Sequence, residues 1–182
     1  MTPLETALVE LATALEDRGL PYVLIGGLAV SLSGEPRATL DVDISVWAAP
    51  ERMDAAVEFL CTRFRALRAS PRDFVERHRV LPVETTNGIR ADIIFAVLPI
   101  EREIIQRAVQ KPIGDRTIPV ASVEDLLFMK LLSTREKDLA DARALFRRFE
   151  NTLDRGYLLP KLKEAAESLD RPDMLDLFQK KN

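Results

Sequence analysis

Residues 40–47 read Leu-Asp-Val-Asp-Ile-Ser-Val-Trp, and polar and apolar side chains alternate through most of this stretch. Successive side chains of a β-strand point to opposite faces of the sheet, so the alternation predicts a strand with one polar and one apolar face. Asp41 and Asp43 then project from the same face. Two carboxylates in this arrangement repel each other unless a cation lies between them.

A glycine pair lies upstream of this strand. The apolar run from Pro21 to Ile25 predicts a buried strand, and Gly26-Gly27 directly follows it. Glycines in this position let backbone N–H groups come close to phosphate oxygens, although a plain tight turn would also use them. An Asp-x-Asp pair alone would also fit a solvent-facing polar edge. Together, the two features favour a site for magnesium and phosphate groups. No Walker-type Gly-x-x-x-x-Gly-Lys motif is present, which excludes a P-loop protein.

A third carboxylate follows on a predicted hairpin. Two strand-like runs, Arg79 to Thr85 and Ile89 to Val97, flank Asn87-Gly88, which is a strong signal for a hairpin turn. Asp92 lies on the second arm, between apolar neighbours that would point to the opposite face. We expect Asp92 to complete, with Asp41 and Asp43, a cradle for one or two magnesium ions.

The order of predicted elements indicates a mixed α/β (α+β) fold. Helices alternate with strands up to about residue 120, with a helix predicted over Ile100 to Val109 and a short last strand over Thr117 to Val120. Ser122 resembles an N-cap, and the pattern beyond it is helical. We therefore predict a mixed β-sheet flanked by helices in residues 1–120, with a helical C-terminal segment in residues 121–182 packed on it.

Composition limits the function classes. The chain has 182 residues, 47% of them apolar, and a formal net charge of only −3. Its single cysteine, Cys61, excludes an intramolecular disulfide, and with His78 as the only histidine there is no zinc site. Neither a signal peptide nor a membrane-spanning stretch is evident, so we expect a soluble, cytoplasmic protein without a membrane partner.

One segment is rich in arginine and contains few acids. It would form either a surface that attracts a nucleic acid such as tRNA or an ordinary solvated surface. Its arginines are Arg63, Arg65, Arg68, Arg72, Arg77 and Arg79, opposed by Asp73 and Glu76.

The combined motifs resemble a known superfamily. Ile25-Gly26-Gly27, a spacer of thirteen residues, Asp41-Val42-Asp43 and the later Asp92 are similar to the pattern of the DNA-polymerase-β-like nucleotidyltransferases. The preceding Arg37-Ala38-Thr39-Leu40 narrows the resemblance to the AbiEii-type nucleotidyltransferases, which include the MenT-like toxins. The helical region is similar as well, through Val123 to Leu127, Lys130 to Leu132 and Arg135 to Asp138.

The resemblance implies a role for each matched residue. Gly26 and Gly27 would bind the triphosphate, and Asp41 and Asp43 would bind magnesium. Asp92 would be the third carboxylate and would help to activate the attacking group. The resemblance places four further residues at the nucleotide: Arg37 and Thr39 beside it, Lys130 near the triphosphate and Asp138 completing that region. Judged from the residues alone, Lys130 would be a surface lysine or a partly buried cation. Asp138 and Asp141 would pair with Arg135 or Lys137.

The implied reaction is the transfer of a nucleoside monophosphate from a nucleoside triphosphate to an acceptor, with release of pyrophosphate. The resemblance favours a toxin of a toxin–antitoxin system, with RNA (tRNA) or a protein as acceptor and an antitoxin protein as a partner. Two alternatives stay open. One is the nucleotidylation of a small molecule, such as an aminoglycoside or lincosamide antibiotic. The other is a catalytically silent nucleotide-binding domain.

Overall fold

The structure is a computed structural model, and it describes residues 1–34 and 38–179. The chain divides into two compact units. The first comprises Met1–Leu32 and Pro36–Ala121, and the second comprises Ser33–Glu35 and Ser122–Asn182. The first unit contains the whole β-sheet, whereas the described part of the second is helical.

The first unit alternates helices and strands. Its helices are α1 (Pro3–Asp17), α2 (Gly26–Leu32), α3 (Pro50–Arg63), α4 (Pro71–His78) and α5 (Pro99–Gln106). Its strands are β1 (Tyr22–Ile25), β2 (Asp41–Trp47), β3 (Arg65–Ala66), β4 (Val80–Glu84), β5 (Arg90–Ala96), β6 (Val109–Ile113) and β7 (Arg116–Val120). The mixed α/β architecture predicted from the sequence is confirmed.

The seven described strands form one mixed sheet in the order β3-β4-β5-β2-β1-β7-β6. Strand β2 lies in the middle, antiparallel to β1 and parallel to β5. The hairpin predicted around Asn87-Gly88 is confirmed as the antiparallel pair β4–β5. The apolar side chains of the two central strands are fully or almost fully buried, so they fix which face of the sheet packs against the core: Val42, Ile44, Val46, Ala91, Ile93 and Phe95.

The second unit consists of α6 (Val123–Leu132), α7 (Glu136–Phe149), α8 (Arg155–Ser168), a short 3-10 helix (Pro172–Leu175) and α9 (Asp176–Gln179). Ser122 caps α6, because its hydroxyl oxygen accepts a hydrogen bond from the Asp125 backbone N–H at 3.1 Å. The predicted N-cap is therefore confirmed. None of the helices in the described parts of the chain is long and apolar enough to cross a bilayer.

The prediction of a helix from Ile100 to Val109 was wrong at its C-terminal end. Helix α5 ends at Gln106, and Val109 begins the edge strand β6, which pairs with β7. The turn between the two strands is Gly114-Asp115, with Gly114 at φ +61°. A run with the apolar residues Ile104, Ile105 and Val109 fits a helical period, but the glycine turn that follows makes the end of the run a hairpin arm.

Candidate functional site

The three predicted carboxylates lie on neighbouring strands of the first unit. In the parallel register of β2 and β5, Asp43 is directly opposite Asp92, and Asp41 is opposite Arg90. Residues opposite each other in register point to the same face, and residues two apart along a strand do so as well. Asp41, Asp43, Asp92 and Arg90 therefore share the face of the sheet opposite to the buried apolar side chains of β2 and β5.

The glycine pair lies beside this face. Ile25, the last residue of β1, is opposite Asp43 in the antiparallel register, and Gly26 follows with φ +69°. A Cβ atom on Gly26 would lie 1.9 Å from Asp43 Oδ2, which is a severe overlap. Glycine is required here both for the left-handed backbone and for the close approach of the Asp43 carboxylate.

Two of the predicted nucleotide-binding residues, Arg37 and Thr39, precede β2 in the sequence. The Thr39 hydroxyl donates a hydrogen bond to Asp41 Oδ1 at 2.8 Å, so Thr39 orients one of the three carboxylates. Asp41 itself is exposed, and Asp43 is half-buried. Arg37, which the resemblance places beside the nucleotide, lies outside the described residues.

Asp92 is half-buried in a mixed electrostatic environment. Burial raises the pKa of its carboxyl above the ordinary value, and the nearby Asp41 carboxylate adds to this effect. Arg90 and Arg68 lower the pKa of the same carboxyl. The site therefore contains two cations beside its acids. Sequence reasoning missed Arg90, although its position two residues before Asp92 on a predicted strand already placed both on one face.

The donor set suits a hard cation, because carboxylate oxygens are the protein ligands that magnesium prefers. However, no group of three or more His, Cys, Asp or Glu side chains within residues 1–34 and 38–179 is arranged to hold a metal ion. Magnesium commonly combines one or two carboxylates with substrate phosphates, and Asp41 and Asp43 are the carboxylates that would hold it in this way.

Lys130 and Asp138 lie in the second unit, where they contact each other. Lys130 is buried, and its Nζ lies 2.6 Å from Asp138 Oδ1 and 2.9 Å from Asp141 Oδ2. Asp138 Oδ2 also accepts hydrogen bonds from Ser133 Oγ at 2.7 Å and Arg135 Nε at 2.6 Å. These residues form a buried ionic cluster, and their proposed role at the nucleotide stays a prediction.

The arginine-rich segment has less free charge than its composition indicates. Four of its six arginines form salt bridges with carboxylates: Arg63 with Asp17 at 3.8 Å, Arg65 with Glu84 at 2.6 Å, Arg72 with Glu58 at 3.0 Å and Arg79 with Glu101 at 3.3 Å. The charge of these four arginines is largely compensated. Arg68 is the member of the segment that acts on Asp92.

Comparison with known proteins agrees with this geometry. The model of one protein family, described as "Nucleotidyl transferase AbiEii toxin, Type IV TA system", matches residues 7–180. The chain belongs to this family and is a nucleotidyltransferase. No curated protein matches the chain.

Solved structures with the same fold are also nucleotidyltransferase-like. An antigenic nucleotidyltransferase-like protein from Paracoccidioides brasiliensis has 17% identity and a TM-score of 0.57, with 96% of this chain and 91% of that chain covered. ANT(2")-Ia in complex with adenylyl-2"-tobramycin has 14% identity and a TM-score of 0.59, with 91% of this chain and 98% of that chain covered. The lincomycin-bound lincosamide antibiotic adenylyltransferase LnuA has 20% identity and a TM-score of 0.52, with 78% of this chain and 95% of that chain covered. At these identities the similarity supports the fold alone.

Proposed function

We propose that the chain transfers a nucleoside monophosphate from a magnesium-bound nucleoside triphosphate to RNA or a protein, with release of pyrophosphate. The observation that carries the proposal is the register of β2 and β5, which aligns Asp43 with Asp92 and puts Asp41 on the same face. Gly26, with its left-handed backbone, approaches Asp43 too closely for a side chain, so that backbone without a side chain borders this face.

Each residue of the site has a defined task in this proposal. Asp41 and Asp43 bind the magnesium ion, and Thr39 fixes the orientation of Asp41 through its hydrogen bond. The backbone of Gly26 and Gly27 binds the triphosphate. Asp92 accepts a proton from the attacking hydroxyl group of the acceptor, for which its half-buried position beside Asp43 is suitable. When bound, magnesium neutralises the charge that develops on the transferred phosphate and orients the reacting oxygens.

The acceptor side of the site favours an anionic or neutral acceptor over a cationic one. Arg68 and Arg90 act on Asp92, and their charges weaken the attraction of the three carboxylates for a cationic aminoglycoside. The structures of ANT(2")-Ia and LnuA keep antibiotic transfer as the second candidate function, because their fold is shared over most of this chain. Tobramycin and lincomycin therefore belong in the acceptor panel of any assay.

The experiment is incubation of the protein with each of the four labelled nucleoside triphosphates, magnesium, and total RNA, total protein or the two antibiotics. We expect label on RNA or protein, and loss of labelling in Asp43→Asn. Asp115→Asn is the matched control, because Asp115 is exposed in the turn between β6 and β7 and loses the same charge. Magnesium with the triphosphate should raise Tm in the wild type and in Asp115→Asn, and less in Asp43→Asn. Equal transfer by both variants would contradict the proposal, as would a Tm that no triphosphate raises.

The biological role follows from the family. We propose that the chain is the toxin of a toxin–antitoxin system and that an antitoxin protein opposes it, as the family description implies for its members. Induced expression of the wild-type chain should stop bacterial growth, whereas Asp43→Asn expressed to the same level should not. Growth arrest by both forms would show that toxicity does not depend on nucleotidyl transfer, and it would overturn the proposed role as a nucleotidyltransferase toxin.

A further inference from the structure

Arg68 and Arg90, the two cations that act on Asp92, differ from most arginines of the arginine-rich segment. Four of those arginines are held by carboxylates, as described above. Among the residues that the structure describes, Arg68 and Arg90 form no salt bridge, and both are exposed. An exposed guanidinium that is not held in a salt bridge keeps N–H groups that can donate hydrogen bonds to an anion such as phosphate.

The backbone places both arginines on one side of the carboxylates. Arg90 is opposite Asp41 in register and precedes Asp92 by two residues on the same face of β5. Arg68 follows the edge strand β3, where the Leu67 N–H donates a hydrogen bond to the Pro82 carbonyl at 2.9 Å. Pro82 is in turn opposite Asp92 in the β4–β5 pair. Leu67 therefore lies about two strand spacings, roughly 10 Å, from Asp92 across the sheet. Arg68 is the next residue along the chain, and its charge acts on the Asp92 carboxyl.

An aromatic contact gives Arg68 a defined position. Its guanidinium carbon lies 4.8 Å from the centroid of the Phe74 ring, within the range of a cation–π interaction. The guanidinium is planar and keeps its N–H groups available at the edge while its face packs on a ring. Arg68 is thus oriented by α4 without being neutralised.

The order of strands separates these cations from the glycine pair. Gly26 follows β1 on one side of β2, whereas β5, β4 and β3 lie on the other side. A triphosphate bound at Gly26 and Gly27 would approach β2 from the β1 side. The group that attacks it must come from a different direction, and the β5 side, where Asp92 lies, is the side that carries Arg68 and Arg90.

We propose that Arg68 and Arg90 form a phosphate-binding pair that holds a backbone phosphate of an RNA acceptor next to Asp92. The inference rests on the proposed function and narrows it from RNA or protein to RNA, because two exposed cations that both act on Asp92 suit a phosphodiester. The pair is a specificity determinant for the acceptor and makes no contact with the nucleoside triphosphate.

The test measures the binding of a fluorescein-labelled short single-stranded RNA to the wild type, Arg68→Gln, Arg90→Gln and Arg72→Gln. Binding is followed by fluorescence anisotropy over a range of salt concentrations. One lost phosphate contact reduces the slope of log K against log salt by about 0.7, which is roughly a fivefold weaker affinity at 0.1 M salt. We expect this change for Arg68→Gln and Arg90→Gln. Arg72→Gln is the matched control, because it removes the same charge from an exposed arginine of α4 that already forms a salt bridge with Glu58.

The same variants distinguish this inference from the proposed function. The rise of Tm with magnesium and a nucleoside triphosphate should be unchanged in Arg68→Gln and Arg90→Gln, because the pair binds the acceptor. If that rise is lost, the arginines bind the triphosphate and the inference is overturned. An equal loss of RNA affinity in Arg72→Gln, or no RNA binding by the wild type, or label found on protein alone, would overturn it as well. If the wild type shows no Tm response to any triphosphate, the proposed function itself fails.

Discussion

Replacement of Lys130 by alanine should destabilise the second unit strongly. Lys130 is only 7% exposed and is shared by two carboxylates, Asp138 at 2.6 Å and Asp141 at 2.9 Å. At an effective dielectric constant of about 20, the Coulomb attraction of each pair is roughly 6 kcal/mol, most of which offsets the desolvation of the ions. Removal of one partner from a buried pair costs about 3–5 kcal/mol, because the remaining charge stays buried.

The value for Lys130→Ala should lie near the lower end of that range. Ser133 and Arg135 still donate hydrogen bonds to Asp138 in the variant, so its charge is not left without compensation. A loss of about 3 kcal/mol corresponds to a decrease in Tm of roughly 6–12 °C for a chain of this size. Differential scanning calorimetry and urea unfolding would measure both quantities.

Lys137→Ala is the control, because Lys137 is exposed on the same helix as Asp138. Its stability should change by no more than about 0.5 kcal/mol. The double variant Lys130→Met/Asp141→Asn should recover part of the lost stability, since it removes a cation together with one anion. If Lys130→Ala unfolds at the same temperature as Lys137→Ala, the reasoning from the buried cluster is refuted. A folded Lys130→Ala protein with normal stability but no transfer would instead place Lys130 at the triphosphate.

Two further predictions concern acid stability and the glycine turn. Burial would raise the pKa of Asp138, but hydrogen bonds from Lys130 and its other donors outweigh this and lower the pKa to about 2, from an ordinary 3.8. Stabilisation by this group is complete above about pH 4 and is lost as pH falls towards 2, by roughly 2 kcal/mol, so Asp138→Asn should flatten acid unfolding followed by circular dichroism in that range. Gly26→Ala should abolish transfer and the triphosphate-induced rise in Tm, because its Cβ would displace Asp43. Gly88→Ala has a similar φ of +80° but open space around the added atom, so it should lose about 1–2 kcal/mol of stability and keep its activity. Activity in Gly26→Ala equal to that in Gly88→Ala would contradict the contact with Asp43.

The sequence predicted the helices and strands whose own residues form a recognisable local pattern. The alternation of β2 and the Asn87-Gly88 turn each specify a structure over a few residues, and both predictions are confirmed. The edge strand β6 has no such signature, because most of its residues are exposed and it contains Pro112. Proline is tolerated there because an edge strand has one side without hydrogen-bond partners. The two-residue strand β3 is too short to produce any pattern, and α4 lies in a polar, arginine-rich segment whose charges hide its single buried residue, Val75.

The alignment of Asp43 with Asp92 is a property of tertiary structure that the sequence predicts only in part. Burial of the apolar residues of β2 and β5 fixes which face of each strand is polar, and a slip of one residue would bury the carboxylates. A slip of two residues would keep both polar faces but move Asp92 by about 6.6 Å along β2, past Asp43. Nothing in either strand distinguishes these two registers, because both bury the same apolar side chains. The register is set by the neighbours on either side, which are the β4–β5 hairpin and the antiparallel strand β1 with Gly26 at its end. The distance between Asp43 and Asp92 therefore depends on the whole sheet and is not specified by β2 and β5 alone.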